Sequence, residues 1–508
     1  MTILRVKTNV NFKQFDKMKK IIIICLIALQ SSNLKAQFNF TPITQLITDS
    51  ISVIGQSGQS CGFMIVQGDS VIYEQYWGSW NNTTYQPIAS GSKMPSMALI
   101  MKLIDEEYLS PNDTVQNFLP SFSGKPVITL HQLMNHTSGL PGQSPFISDN
   151  SITLQQAVDN IGLNTPMSFT PGTEFRYGGV SMHVAGRMAE IATGMSWDSL
   201  FQQKIAIPLG MTNTDYVALG ATTNYRIAGG MGTTMPDFSK LLTMLLNYGE
   251  FNNAQVIDSL TVKMMQSDQT NGVQLNGTPY SGDPLRENFR YGYGVWVEQE
   301  TNGETTQYGS QGAFGFTPWI DRCRNIACVF FVRRTLGIIQ PTHTQLRNLV
   351  EQIIPIKLQQ PTITLNGNQL QSSYQNGNQW YLNDTLLLGE TGQFITPSQS
   401  GNYKVKYTSN EGCEIFSDEF NHTVLSISDI LNENKILFYP NPANTILFIK
   451  TEDNSLSQYQ IFNSIGQVMK QGKLTENSVD VSGLPKGIYF IQLNVKNGQM
   501  FNSKFIKD

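Results

Sequence analysis

Between Gly62 and Trp77 the chain reads GFMIVQGDSVIYEQYW, with apolar and polar positions alternating on either side of QGDS, a pattern that predicts a β-hairpin. Residues 88–109, IASGSKMPSMALIMKLIDEEYL, then set Met97, Ile100, Met101, Leu103 and Ile104 at helical spacing, and Pro111 ends the run. Further helices are predicted at TLHQLMNH, SMHVAGRMAEIATG, WDSLFQQKIAIPLG and PDFSKLLTMLLNYG. Strand-like alternation returns in YGYGVWVEQE, TTQYG, AFGFTPWID and IACVFFVRR, and THTQLRNLVEQII adds a last helix. This order predicts an α+β domain over residues 37–355 with one antiparallel sheet and a helical region. Beyond Pro355 short strands alternate with Gly, Asn, Ser and Asp, which predicts two small all-β sandwich domains. Residues 356–430 read as Ig-like, with the single Cys413 leaving that module no internal disulfide, and residues 431–508 form the second module.

Composition narrows the function classes. The chain has 508 residues, 40% of them hydrophobic, enough to bury more than one core. Charged residues are only 14% and the formal net charge is -4, so no basic field exists to hold nucleic acid. Residues 1–36 read as a signal peptide: MKKIIIICLIALQ supplies a positive start and a short apolar run, with Met18 as a candidate initiator and Ala36 as a cleavage residue. The run is too short to span a bilayer, so no transmembrane anchor is expected once the signal is removed, and the surroundings of Cys25 fit a lipid-modified cysteine poorly. Cys61, Cys323, Cys328 and Cys413 match neither a dense disulfide frame nor metal knuckles. At most one disulfide is expected, and Cys323 and Cys328, flanking a predicted hairpin turn, read as small buried or edge residues.

The chemistry concentrates at the start of the helix in 88–109. A lysine three positions after a serine lies one turn along on the same face, so the amine of Lys93 can reach the hydroxyl of Ser90. Helix N-terminal N–H groups and burial both disfavour an ammonium there, leaving a neutral amine able to take the serine proton. Ser92 is a neighbour able to relay or cap, and Pro95 is expected to bend the first turns. The opposing reading is an N-cap serine followed by a snorkelling lysine.

The surroundings of this motif favour the first reading. ASGSKMPSMALIMKLIDEEYLSPNDTVQNFLPSF, ITLHQLMNHTSGLPG, PGTEFRYGGVSMHVAGRMAEIATGMSWDSLF, RIAGGMGTTMPDFSKLLTMLLNYG and QGAFGFTPWIDRCRNIACVFF follow in the order of the serine β-lactamase family of class C type, with its D-alanyl-D-alanine carboxypeptidases and esterases. The resemblance covers roughly residues 50–353 and implies a β-lactamase/transpeptidase-like fold. It implies Ser90 as nucleophile, Lys93 as activating amine and Tyr177 as the tyrosine of Y-x-N, its phenol pKa lowered by a nearby ammonium; whether Lys93 or Tyr177 takes the first proton stays open. The third Y-x-N position is Gly179, and the K-T-G or H-x-G of an edge strand falls on Ser310, Gln311 and Gly312. The N–H groups of Ser90 and Ala313 would form the oxyanion hole, with Gly312 admitting a close substrate approach. Gly179 and Ser310 cannot supply the amide and carboxylate contacts of β-lactam binders; Arg176, Arg333 and Arg334 are candidate substitute cations.

His136 in NHTSGL reads as a structural loop histidine, and His131, His183, His343 and His422 have no ligand spacing, so neither a metal nor a cofactor is implied. YPNPANTILFI, IFNSIGQV and VDVSGLPKGIYFIQL resemble the C-terminal sorting domain of type IX secretion, which implies that machinery as a partner and a secreted or outer-surface location. The expected activity is acyl transfer to water from a small-molecule, peptide or ester substrate. Esterase-like action ranks ahead of D-alanyl-D-alanine carboxypeptidase and β-lactamase action, and a non-catalytic surface binding protein is the alternative of another class.

Overall fold

In the computed structural model, residues 38–55, 59–270, 272–275, 278, 288–424, 436–450, 456–474, 476–495 and 500–508 are described. The expected signal peptide lies outside them. Contacts divide the chain into one unit of residues up to Gln360 together with Lys406–Phe416, and a second of Pro361–Val405 and Ser417–Asp508.

The first unit holds a seven-stranded antiparallel sheet. In chain order its strands are β1 (Cys61–Gln67), β2 (Ser70–Trp77), β3 (Arg290–Tyr291), β4 (Trp296–Thr301), β5 (Glu304–Gly309), β6 (Thr317–Asp321) and β7 (Ile326–Phe331), and they lie side by side as β2-β1-β7-β6-β5-β4-β3. The hairpin expected at Gly62–Trp77 is β1–β2. Both faces of β1 and β7 are covered. Cys61, Phe63, Ile65, Cys328 and Phe330 pack with α1 (Thr41–Ile54) and α5 (Leu336–Ile353), through Ile43, Ile47, Ile339, Leu346 and Val350. The alternate residues Met64, Val66, Ala327, Val329 and Phe331 join the helical side, with α2 (Lys93–Asp105), α3 (Val180–Thr193) and α4 (Met235–Leu246). Double coverage explains why IACVFF is an unbroken apolar run.

Three sequence expectations are corrected here. Helix α2 runs unbroken through Pro95, its third residue, because the first N–H groups of a helix have no intrahelical partner for proline to remove. Ser310–Gly312 does not lie on an edge strand: β5, which it follows, is an interior strand, because β4 and the two-residue β3 extend the sheet beyond it. Cys323, in the β6–β7 turn, is no bland edge residue but is disulfide-bonded to Cys413, whereas Cys328 and Cys61 are buried free thiols.

In the second unit, residues 363–405 and 417–422 contribute to two sheets around Leu370, Trp380, Ile395, Tyr403 and Val405. Two further sheets carry residues 437–507 around Leu447, Ile449, Ile461, Ile491, Leu493 and Phe505.

Candidate active site

The turn before α2 is built to present Ser90. Ala89–Ser92 is a short 3-10 helix, and Ala89 takes a left-handed φ of 47°, an unfavourable conformation for a residue with a Cβ. Three tethers hold it. The Ser92 hydroxyl donates to Ala89 O at 2.6 Å and accepts from the Met231 N–H at 3.1 Å, and Ile88 N–H donates to Met231 O at 3.0 Å. Ser92 thus fastens the turn and does not point at Ser90. Below it, the Ser96 hydroxyl meets Ile227 O and the Tyr216 hydroxyl, both at 2.6 Å, so residues 227–231 are stitched along the start of α2.

Against this frame lies Lys93, 3% exposed, with Nζ donating to Ser90 Oγ at 3.0 Å and to Ala228 O at 3.1 Å. Burial pushes its pKa down to about 7. A carboxylate that would hold the ammonium is absent among the ion pairs of the described residues. The amine is therefore part neutral at physiological pH, and one turn of helix sets it against the Ser90 hydroxyl.

Tyr177 stands just before α3, in a segment packed backbone to backbone on Gly142: Gly179 N–H donates to Gly142 O at 2.7 Å, and a Cβ at Gly178 would sit 1.9 Å from that oxygen. Its ring lies 4.5 Å from Lys93 Nζ and packs on Trp296, Tyr291 and His136. Sequence reasoning expected an ammonium to lower the phenol's pKa; the structure gives the opposite direction. Burial raises it to about 12, with the Ser90 hydroxyl and the Trp296 indole pulling weakly the other way. The phenol keeps its proton. His136 is buried in the same aromatic cluster, and burial, helped by the charge of Lys93, holds its imidazole neutral.

Gly312 brings the last element in. A Cβ there would lie 2.1 Å from Ile88 O, so only glycine lets the loop after β5 lie against the turn that carries Ser90. Its N–H bonds Phe316 O at 2.7 Å, which fixes the loop, and the neighbouring Ala313 is exposed. Ser310 is 2% exposed and its hydroxyl reaches Ser90 O at 3.5 Å. Gln311 turns away to Glu298.

A cavity of about 230 Å³ opens from Ser90 and Lys93 toward Tyr177, Gly179, Ile147, His183 and Arg226. The room that an Asn side chain would take at 179 is filled by Ile147, whose Cδ1 lies 2.8 Å from a Cβ built there. Sequence reasoning missed Arg226: the cations it named stand elsewhere, Arg176 exposed beside Glu174 and Arg333 against Gln86. It also missed the Ala228 carbonyl and Trp296. A backbone oxygen carries no side-chain signal, whereas YRIAGGMG does contain an arginine two residues before that carbonyl.

A family profile described as Beta-lactamase matches residues 52–338, and one described as Secretion system C-terminal sorting domain matches residues 437–508. Among curated proteins, one of Escherichia coli K12 named "Putative D-alanyl-D-alanine carboxypeptidase" is 23% identical over 358 residues, covering 53% of this chain and 81% of that protein. Among solved structures, a "putative beta-lactamase from Bacteroides dorei DSM 17855" is 30% identical with a TM-score of 0.55, over 61% of this chain and 99% of that one. EstCE1, described as "a hydrolase with promiscuous acyltransferase activity", is 20% identical with a TM-score of 0.51 over 61% and 97%, a likeness of fold.

Proposed function

Because the chain belongs to the beta-lactamase family, a fold family of serine hydrolases, and ends in a type IX sorting domain that directs it out of the cell or to its surface, we propose that it is a secreted esterase-like enzyme working through an acyl-enzyme on Ser90. The observation that carries this reading is the 3.0 Å contact between a largely desolvated Lys93 amine and Ser90 Oγ. In the first step Ser90 Oγ bonds to the substrate carbonyl carbon while its proton passes to Lys93 Nζ. The developing oxyanion is met by the N–H groups of Ser90 and Ala313. The C–O bond to the leaving group then breaks, and the leaving alkoxide takes a proton from Lys93, with the protonated Tyr177 hydroxyl beside Ser90 as relay. Water repeats the sequence against the acyl-enzyme and releases the acid.

Lys93 as first base is supported by its pKa of about 7, set against about 12 for Tyr177. Esterase-like action is favoured over β-lactam hydrolysis by Gly179 and Ser310, which lack the amide and cationic groups that would hold a β-lactam. D-alanyl-D-alanine carboxypeptidase action is the second reading, favoured by the curated relative of that name.

Labelling tests this. The purified protein should react with a fluorophosphonate at Ser90 and weakly or not at all with a labelled penicillin, and Ser90→Ala should abolish both signals. Strong penicillin labelling would shift the assignment to a penicillin-recognising enzyme. No labelling of a folded protein would favour a surface binding protein.

A further inference from the structure

Inside the cavity that adjoins Ser90, two polar side chains have hydrogen-bonding capacity left over. His183 sits one turn into α3 from Gly179, is 1% exposed, lines the cavity, and neither of its ring nitrogens meets a partner at hydrogen-bonding geometry. Buried imidazole nitrogens without partners are uncommon and costly. Arg226 lines the same cavity. One edge of its guanidinium is anchored, Nη2 donating to Ser148 O at 2.8 Å and to Asn150 Oδ1 at 3.3 Å, while its buried Nε has no partner. Among the described residues no carboxylate pairs with it. The loop that anchors Arg226 is itself fastened by Asn224, whose Nδ2 donates to Phe146 O at 2.8 Å and Asp149 O at 2.9 Å, so the guanidinium is held in place rather than swung in from solvent.

We propose that Arg226 and His183 form a carboxylate-binding subsite, so that the preferred substrate is an ester carrying a free carboxylate within reach of this cavity wall. The proposal rests on Ser90 being the nucleophile. A guanidinium with one edge anchored and an N–H left over is suited to a planar anion, and a neutral imidazole adds a donor beside it. Burial pushes the His183 pKa down to about 4, the Gly179 carbonyl opposing and the Arg226 charge adding to the fall, so the neutral ring has a single N–H, which must turn from that carbonyl to the bound carboxylate to donate to it. The position differs from Ser310, where the family pattern would place a lysine: Ser310 is not in this cavity's lining. The cation offered here therefore stands at a different place from the one the family pattern would use.

The test compares each acid with its own methyl ester in two arms. p-Nitrophenyl hydrogen glutarate carries the carboxylate on the acyl side, and 3-(butyryloxy)benzoate carries it on the leaving group. In one arm kcat/KM for the acid should exceed that for the neutral ester by about tenfold or more, as a charge-assisted hydrogen bond allows, and that arm identifies the side. Arg226→Gln should bring the ratio to about one, acting mainly through KM, and Arg226→Lys should restore part of it. Because the ratio is internal to one preparation, lower yield of a variant does not distort it; if Arg226→Gln fails to fold, His183→Leu reads the same ratio and should lower it. A ratio near one in both arms of the wild type, or one that either variant leaves unchanged, overturns the subsite. If Ser90 still takes the fluorophosphonate in that case, the hydrolase reading stands without it; if Ser90 does not label, both fall.

Discussion

Two sets of residues at the site follow the family pattern to different degrees. In one, Ser90, Lys93 and Tyr177 stand together with their supporting contacts: the tethered 3-10 turn, the Ala228 carbonyl, the aromatic bed. In the other, Gly179 and Ser310 occupy positions where the family pattern has groups that grip a β-lactam, and Ile147 fills the space beside Gly179. The acylating chemistry needs sub-ångström placement of a few atoms and tolerates little change. Recognition needs only that polar groups be met somewhere, so it can move from one wall to another.

The strongest way to break this contrast is to attack the acylating set. Ser90→Ala should reduce ester hydrolysis by at least about 10³-fold, read as kcat, with the fold unchanged. Next is the base. As pH falls through about 7, Lys93 gains the proton that prevents it from accepting another, so kcat/KM should rise with pH through about 7 and then level off. No alkaline fall from Tyr177 is expected up to about pH 10, since its hydroxyl stays protonated. Lys93→Met should remove the rise at about 7 and cost about 10²- to 10⁴-fold in rate. The same burial means that the unfolded chain binds more protons than the folded one between about 7 and 10.5, so the contribution of Lys93 to stability should increase with pH across that window.

Smaller effects sharpen the comparison. Gly312→Ala puts a Cβ against Ile88 O and should displace the N–H of residue 313, lowering kcat by about 10²-fold while KM changes little. On the permissive wall, Gly179→Asn combined with Ile147→Ala should raise the rate of penicillin labelling by about tenfold, the value of one good hydrogen bond to the substrate amide, and leave fluorophosphonate labelling intact. If that double change instead abolishes labelling by both probes, the two sides are not separable.

Much of this was legible in the chain, for identifiable reasons. The S-x-x-K spacing fixes a geometry through helical pitch alone, so Ser90 and Lys93 meeting at 3.0 Å needs no tertiary information. Strand patterning found β1, β2, β4, β5, β6 and β7, the last being an unbroken apolar run and not the alternation expected. Helices Thr41–Ile54 and Leu154–Asn164 were not read, although Thr153 and Gln156 form a capping box whose T-x-x-Q spacing would have announced the second. The direction of the Tyr177 shift was misjudged because burial by Trp296 and Tyr291 comes from more than a hundred residues away. The pairing of Cys323 with Cys413 spans 90 residues and leaves no local trace.

That last bond has a practical corollary. Since Lys406–Phe416 belongs with the hydrolase unit, a gene fragment trimmed at Gln360 would delete a piece of that unit and strand a lone sulfhydryl on the β6–β7 turn. Such a fragment is expected to dimerise through that sulfur under air, giving a doubled mass on non-reducing gels that a Cys323→Ser version lacks. The boundary suggested by counting residues is therefore the wrong place for scissors, and maturation has to wait until the downstream stretch has emerged into an oxidising compartment.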